Sequence, residues 1–158
     1  MLYGSDMTSA QWMAVQPLLA HIKFRNHTAY AILNALFYLN KTGCQWRFLP
    51  AGYPPWQTVY YHFRTWIDSG LIERINDALR RAARVKAGRR ASPSAAIIDS
   101  QAVKTSHVGG ERGFDGGKKV KGRKRHIVTD TMGLLLAVLV HRANEADSQK
   151  APHVLQRL

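Results

Sequence analysis

The sequence of 158 residues has a single cysteine, Cys44, so no disulfide can form within the chain and no cysteine-based zinc site can be built. That usage fits a reducing cytosol. Long apolar runs are missing too: the longest, Leu134 to Val140, is seven residues, against the ~18 that a membrane helix needs. The opening Met1-Leu2-Tyr3-Gly4-Ser5-Asp6 has no basic stretch followed by an apolar core, and no signal peptide is read. Membrane and secreted classes are thereby set aside. The seven histidines, at positions 21, 27, 62, 107, 126, 141 and 153, show neither zinc-finger pairing nor a His-Glu-x-x-His helix. A nucleotide-triphosphate loop is excluded as well, because Gly117-Lys118 is followed by Lys119 and the position five before Gly117 is Arg112.

Acid is also scarce, with 10 Asp and Glu against 23 Lys and Arg, a net charge of +13. At 46% hydrophobic and 21% charged residues the composition is that of a folded domain. The basic excess therefore predicts a polyanionic partner, nucleic acid before acidic membrane.

The chain divides near residue 90. Thr8-Ser9-Ala10-Gln11 has capping-box spacing, and Trp12, Val15 and Leu19 follow at helical intervals past Pro17. Asn26 is the expected cap of a second helix with the stripe Ala29, Ile32, Leu33, Leu36 and Phe37, ending at Gly43. Pro50, Pro54 and Pro55 punctuate a loop. Val59, Phe63, Trp66 and Ile67 then mark a third helix, and Leu71, Ile75, Ala78 and Ala82 a fourth. The intervening Asp68-Ser69-Gly70 turn gives that pair a helix-turn-helix shape. Beyond a linker at Gly88 to Pro93 the period changes. Ala95 to Ile98 is an apolar strand ending on Asp99, Ile127 to Thr129 a second, and Leu134 to Val140 a third. The third is apolar throughout, which predicts burial on both faces and helices on either side of a sheet. Asp147-Ser148 starts a last helix.

Two clusters hold most of the cations. Arg80, Arg81, Arg84, Lys86, Arg89 and Arg90 fall within eleven residues, and Lys118, Lys119, Lys121, Arg123, Lys124 and Arg125 within eight. The second is read as a flexible loop, with glycines at 109, 110, 113, 116, 117 and 122 and Asp115 balancing its charge. Like charges this dense repel one another unless an anion sits among them, and glycine lets backbone approach phosphate. Arg64, with Gln57, Thr58, Tyr60 and Tyr61, lies near the start or on the polar side of the third helix, within reach of bases or phosphates. Tyr60 and Trp56 suit bundle packing equally well. Of the ten acids only Asp99 ends an apolar strand, where metal-dependent phosphoryl transfer wants a ligand. The ordinary alternative is a strand-end Asp accepting backbone amides.

Several long motifs then occur in a fixed order. They are Leu39-Asn40-Lys41-Thr42-Gly43-Cys44-Gln45-Trp46-Arg47, Leu49-Pro50, Pro54-Pro55-Trp56-Gln57-Thr58-Val59-Tyr60 and Phe63-Arg64-Thr65-Trp66. Ile98-Asp99-Ser100-Gln101, Gly113-Phe114-Asp115-Gly116-Gly117-Lys118-Lys119 and Gly122-Arg123-Lys124-Arg125-His126 follow. On these the chain resembles, over nearly its whole length, DDE-class transposases of the insertion-sequence-five family. The resemblance implies an α+β protein: an all-helical, helix-turn-helix-like DNA-binding domain over residues 1–88, a linker at 89–94, and part of a ribonuclease-H-like domain over 95–158, with three strands and one helix. It implies Mg²⁺- or Mn²⁺-dependent cleavage and transfer of double-stranded DNA at an element's terminal inverted repeats, within the nucleoid of a bacterial cytoplasm. Asp99 matches the family's first catalytic, metal-binding Asp.

The family's second Asp, in an Ala-Asp-Gly-Gly-Tyr-like motif, and its final Glu have no counterpart in residues 1–158. The 158 residues alone are therefore expected to bind DNA without cutting it and to hold no metal tightly. Pairing with another copy or with a full-length transposase is the expected association. A stand-alone DNA-binding regulator or inhibitor is the alternative. A self-sufficient nuclease, with Glu145 or Asp147 completing a site with Asp99, is a third reading.

Overall fold

Two hydrophobic patterns of different period build two units, Met1–Arg89 and Arg90–Leu158. The computed structural model describes residues 3–105 and 110–158, so His107 and Gly109 of the sequence reading lie outside the described residues. The chain is α+β, helices first and then an antiparallel sheet.

The first unit contains α1 (Ser9–Leu19), α2 (Ala29–Thr42), one 3-10 turn (Trp46–Phe48), α3 (Trp56–Asp68) and α4 (Leu71–Lys86). The predicted capping box forms: the Thr8 amide donates to the Gln11 side-chain oxygen at 2.8 Å, and the Thr8 hydroxyl accepts the Gln11 amide at 3.3 Å. Thr28, not Asn26, caps α2, because its hydroxyl accepts the Ala31 amide at 3.2 Å. Gly43 ends that helix at φ 66°, as its position predicts. Val15, Leu19, Ile32, Leu33, Val59, Trp66, Leu71 and Ile75 close the core. Asn34 is buried there and its side-chain oxygen accepts the Met7 amide at 2.9 Å, fastening the N-terminal arm to α2.

The second unit contains β1 (Ala96–Lys104), β2 (Gly113–Asp115), β3 (Val120–Asp130), β4 (Leu135–Arg142) and α5 (Asp147–Leu155). β3 is central. β1 runs antiparallel along one edge from Ala96 opposite Asp130 to Lys104 opposite Gly122. β2 and β4 share the other edge, opposite residues 120–122 and 123–129. Three expectations are corrected. The basic segment is strand rather than flexible loop from Val120 onward, and β2 adds a fourth, short strand. A side chain at Gly122 would run into the Val103 carbonyl, so that glycine serves close strand packing. β4 is not buried on both faces, since Leu135, Val138 and Val140 are exposed, and the one described helix of this unit covers a single face.

Beneath α5, the buried residues of β3 alternate: Gly122, Lys124, His126, Val128 and Asp130. Val128, Ala137 and Val154 form the small apolar centre. Beside it the Lys124 ammonium, 8% exposed, lies 2.8 Å from Asp147 and 3.4 Å from Asp115, and donates to the Glu145 carbonyl at 3.1 Å. Those contacts, Asp147 foremost, raise the Lys124 pKa. Lys124 and then the Ser100 hydroxyl, at 2.8 Å, bring Asp147 down to about 2. One buried cation thus ties the end of β2, the start of α5 and, through Asp147, strand β1 to the central strand. Asp130 works locally, its carboxylate accepting the amides of Met132 and Leu134 in the turn before β4.

Two predictions follow from this cluster. Lys124→Ala leaves two carboxylates without their cation and should cost the sheet unit about 1–3 kcal/mol in denaturant unfolding, whereas Lys121→Ala, at an exposed position, should stay within about 0.5 kcal/mol. Equal losses would show that Lys124 is not the tie. His126 is 2% exposed, and burial holds its pKa below the ordinary 6.5 despite Asp147 at 3.4 Å. The unfolded chain then binds a proton near pH 6.5 that the fold resists, so this contribution is full above that pH and declines below it. The melting temperature should fall between about pH 7.5 and 5.5, and His126→Phe should flatten that dependence.

Candidate nucleic-acid interface

Helical spacing turns one side of α3 to solvent. Gln57, Tyr61, Arg64 and Thr65 are exposed there, and Thr58 is half-buried. Trp46 stands edge-on to Tyr60 with centroids 5.0 Å apart and also touches Phe63, so Tyr60 packs against Trp46 while staying 40% exposed, and Tyr61 is 65% exposed. Beside the N-terminal end of α3 the Arg47 guanidinium lies 5.6 Å over the Trp56 ring, and Phe48 next to it is exposed. The first turn of α3 carries no acid. This is a cationic and aromatic surface without a carboxylate at the helix start.

The first basic cluster is divided by the helix that bears it. Arg84 is 5% exposed and the Arg80 side chain 9%. Arg80 and Arg81 both bond Asp77, whose pKa burial would raise but the two guanidiniums hold below the ordinary value. Arg80 and Arg84 are therefore interior to the helical unit, and the exposed part of the cluster is Arg81, Lys86, Arg89 and Arg90.

The second cluster is divided by strand alternation. Lys124 points under α5, as described above, and Lys118 donates to the Ser100 carbonyl at 2.8 Å. The odd-numbered residues of β3 share the opposite, uncovered face with Asp99 and Gln101 of β1, because Asp99 pairs with Ile127 and Gln101 with Arg125. Arg125 donates to the Gln101 side-chain oxygen at 3.1 Å, Arg123 donates to the Glu111 carbonyl at 3.1 Å, and Arg142 on β4 bonds the Glu111 carboxylate at 3.0 Å. Lys121 is exposed farther along the same face, and Lys119 occupies the β2–β3 turn at φ 53°. A row of cations thus leads along β3 toward Asp99.

Asp99 lies in mid-strand rather than at a strand end, in a β1 of nine residues whose outer edge pairs with no strand among the described residues. Its carboxylate is exposed and accepts the Ser100 amide at 2.8 Å, the local contact that the ordinary alternative names. The other acids of this unit are committed elsewhere. Glu111 pairs with Arg142, Asp115 and Asp147 with Lys124, Glu145 with Lys150, and Asp130 with turn amides. Asp147 bonds Ser100, which faces away from Asp99, so the self-sufficient site with Asp147 or Glu145 is not assembled. Among the described residues no three His, Cys, Asp or Glu side chains are grouped to hold a metal. Asp99 fits a metal as one ligand and no more, so no metal-dependent step can be derived from these residues.

The sequence does not separate these cations by face, because six basic residues in eight leave none of the apolar alternation that normally marks the faces of a strand. It also hides the pairing of Asp115 and Asp147 on Lys124, which joins residues far apart in sequence.

Two family models match the chain, one on each unit. A model of transposases of the IS4/5 family matches residues 7–76, and a transposase DDE domain matches residues 90–158. No curated protein and no solved structure matches it. With the motifs and both models agreeing on one enzyme class, the chain belongs to the DDE transposases of the IS4/5 type.

Proposed function

We propose that this chain is the DNA-binding portion of an insertion-sequence transposase, engaging double-stranded DNA at the terminal inverted repeats and inactive in strand cleavage by itself. The observation that carries the reading is the gathering of Lys121, Arg123 and Arg125 on the uncovered sheet face that also bears Asp99, whose carboxylate is exposed and bonded to the Ser100 amide. In the helical unit α3, which the Asp68-Ser69-Gly70 turn joins to the following α4 in a helix-turn-helix-like pair, enters the groove with Arg64 and Gln57 toward the bases. The exposed Arg81 and Lys86 of α4 supply backbone contacts, while Arg80 and Arg84 hold the helix in place. On the sheet, Lys119, Lys121, Arg123 and Arg125 follow the phosphates, whereas Lys118 and Lys124 secure the strand that positions them.

Asp99 is proposed as the first catalytic carboxylate and a ligand to Mg²⁺ or Mn²⁺, which in the complete enzyme polarises the attacked phosphate. The remaining ligands come from the family's second Asp and final Glu, which have no counterpart in residues 1–158. Further strands of the ribonuclease-H-like sheet, or another copy, would add at the open edge of β1. Such a protein works at the bacterial nucleoid. No described helix is long and apolar enough to cross a membrane.

Binding tests the reading directly. The triple change of Lys121, Arg123 and Arg125 to Ala should weaken binding to all duplexes and reduce the log–log salt slope by about 3, at ~0.9 per lost phosphate contact. Arg64→Ala should cost about 1–3 kcal/mol on the terminal repeat and much less on unrelated DNA. Uniform weakening by Arg64→Ala would make it a backbone contact instead. With Mg²⁺ present the purified chain should leave supercoiled plasmid intact; nicking that Asp99→Ala abolishes would overturn the incompleteness.

A further inference from the structure

A cavity of about 330 Å³ opens in the helical unit between α3, the start of α4 and the α1–α2 connection. One wall is Tyr61 and Thr65 of α3 with Ser69, the residue that caps its C-terminal end, and its floor includes the buried Trp66. The opposite side brings His21 and Lys23 from the α1–α2 connection and Arg74 from the first turns of α4. No carboxylate lines it. Lys23 and Arg74 are exposed and in no ion pair among the described residues, unlike Arg80 and Arg81 on the same α4. Burial lowers the pKa of His62, so at neutral pH this wall residue is an uncharged hydrogen-bonding ring between Tyr61 and Trp66. The Thr65 and Ser69 hydroxyls donate to the Tyr61 and Trp66 carbonyls, so their protons are already used and they cannot donate to an anion. Anion contact therefore falls to Lys23, Arg74 and His21.

We infer that this cavity is a phosphate socket, built by Lys23, Arg74 and His21, that takes a phosphodiester of the duplex whose groove α3 enters. The inference rests on the DNA reading above and adds residues outside both basic clusters. A helix seated in a groove has a phosphate strand along each side. Tyr61 lines both the exposed face of α3 and the socket, so a strand flanking α3 on that side meets two cations and an imidazole at a cavity that no carboxylate lines. The aromatic wall receives the deoxyribose beside the phosphate.

The test uses the full 158-residue chain and the double variant Lys23→Ala/Arg74→Ala, with thermal melting as the check that both fold. Binding to a terminal-repeat duplex and to an unrelated duplex is measured from about 50 to 200 mM salt. The double variant should bind both more weakly, with the salt slope reduced by about 2, so that the loss across that salt range shrinks by about tenfold. A folded double variant with the wild-type slope overturns the socket while leaving the DNA reading intact. Loss of all duplex binding by the wild-type chain removes the DNA reading and the socket with it. A second arm titrates inorganic phosphate and follows the His21 and His62 ring resonances by NMR. Saturation by millimolar phosphate, abolished in the double variant but with no change in duplex slope, assigns the cavity to free phosphate and overturns the duplex assignment.

Discussion

Lys124 stands on the central strand with its ammonium beneath α5, in a place where an unpaired cation would be strongly disfavoured. Asp147 and Asp115 remove that penalty, one from the helix start and one from the end of β2, and Ser100 extends the contact to β1. Every described element of the sheet unit except β4 is thereby referred to one charge on one strand. The apolar centre beneath α5 consists of Val128, Ala137 and Val154 with Leu136 and Leu139 against it, which is small for a sheet of this length. Polar pairing accordingly carries a larger part of the order here than in the helical unit, whose core contains Trp66 and a broad set of aliphatic side chains.

That division explains what could be read in advance. The helical half was legible in detail because each signal there is local: the capping box at Thr8, the stripe through Ile32 and Leu33, the left-handed stop at Gly43. Asn26 lost to Thr28 as the cap of α2 for an equally local reason, since Thr28 stands immediately before Ala29. In the second half the apolar run 134–140 suggested burial on both faces, but its two β-branched residues, Val138 and Val140, record β preference as much as burial. Val138 and Val140 face outward here. The strand character of residues 120–126 was hidden because cations occupy both faces, and only tertiary pairing tells Lys124 from Arg125. Asp99 was found by its type and neighbours. Its isolation from the other acids required the fold, because Asp147 reaches Ser100 across 47 residues.

A net charge of +13 is therefore not one uniform patch. Arg80, Arg84 and Lys124 are interior, Lys118 supports the backbone beside Asp99, and Arg142 and Lys150 neutralise Glu111 and Glu145. The cations that remain exposed include Lys23 and Arg74 at the cavity of the helical unit, Arg47 and Arg64 at α3 and its border, Arg81, Lys86, Arg89 and Arg90 toward the far end of α4, and Lys121 and Arg125 on the uncovered face of β3. On the uncovered face of β3, Arg125 is bonded to Gln101, two residues along β1 from Asp99.

The same pairing bears on why Asp99 remains available. In a sheet unit with six acids, five of them find cations or turn amides, and those contacts hold β2, the β3–β4 turn and α5 in place. The Asp99 side chain contributes to none of these ties; the described contact of its carboxylate is the amide of its own neighbour, Ser100. Replacing it removes little from the fold, which is the condition under which a carboxylate is free to serve chemistry. Ser100 takes the opposite part. Its hydroxyl and carbonyl are held by Asp147 and Lys118 on the α5 side, and alternation along β1 then directs the Asp99 carboxylate onto the open face among the cations. The buried side of the strand fixes where the exposed side can act.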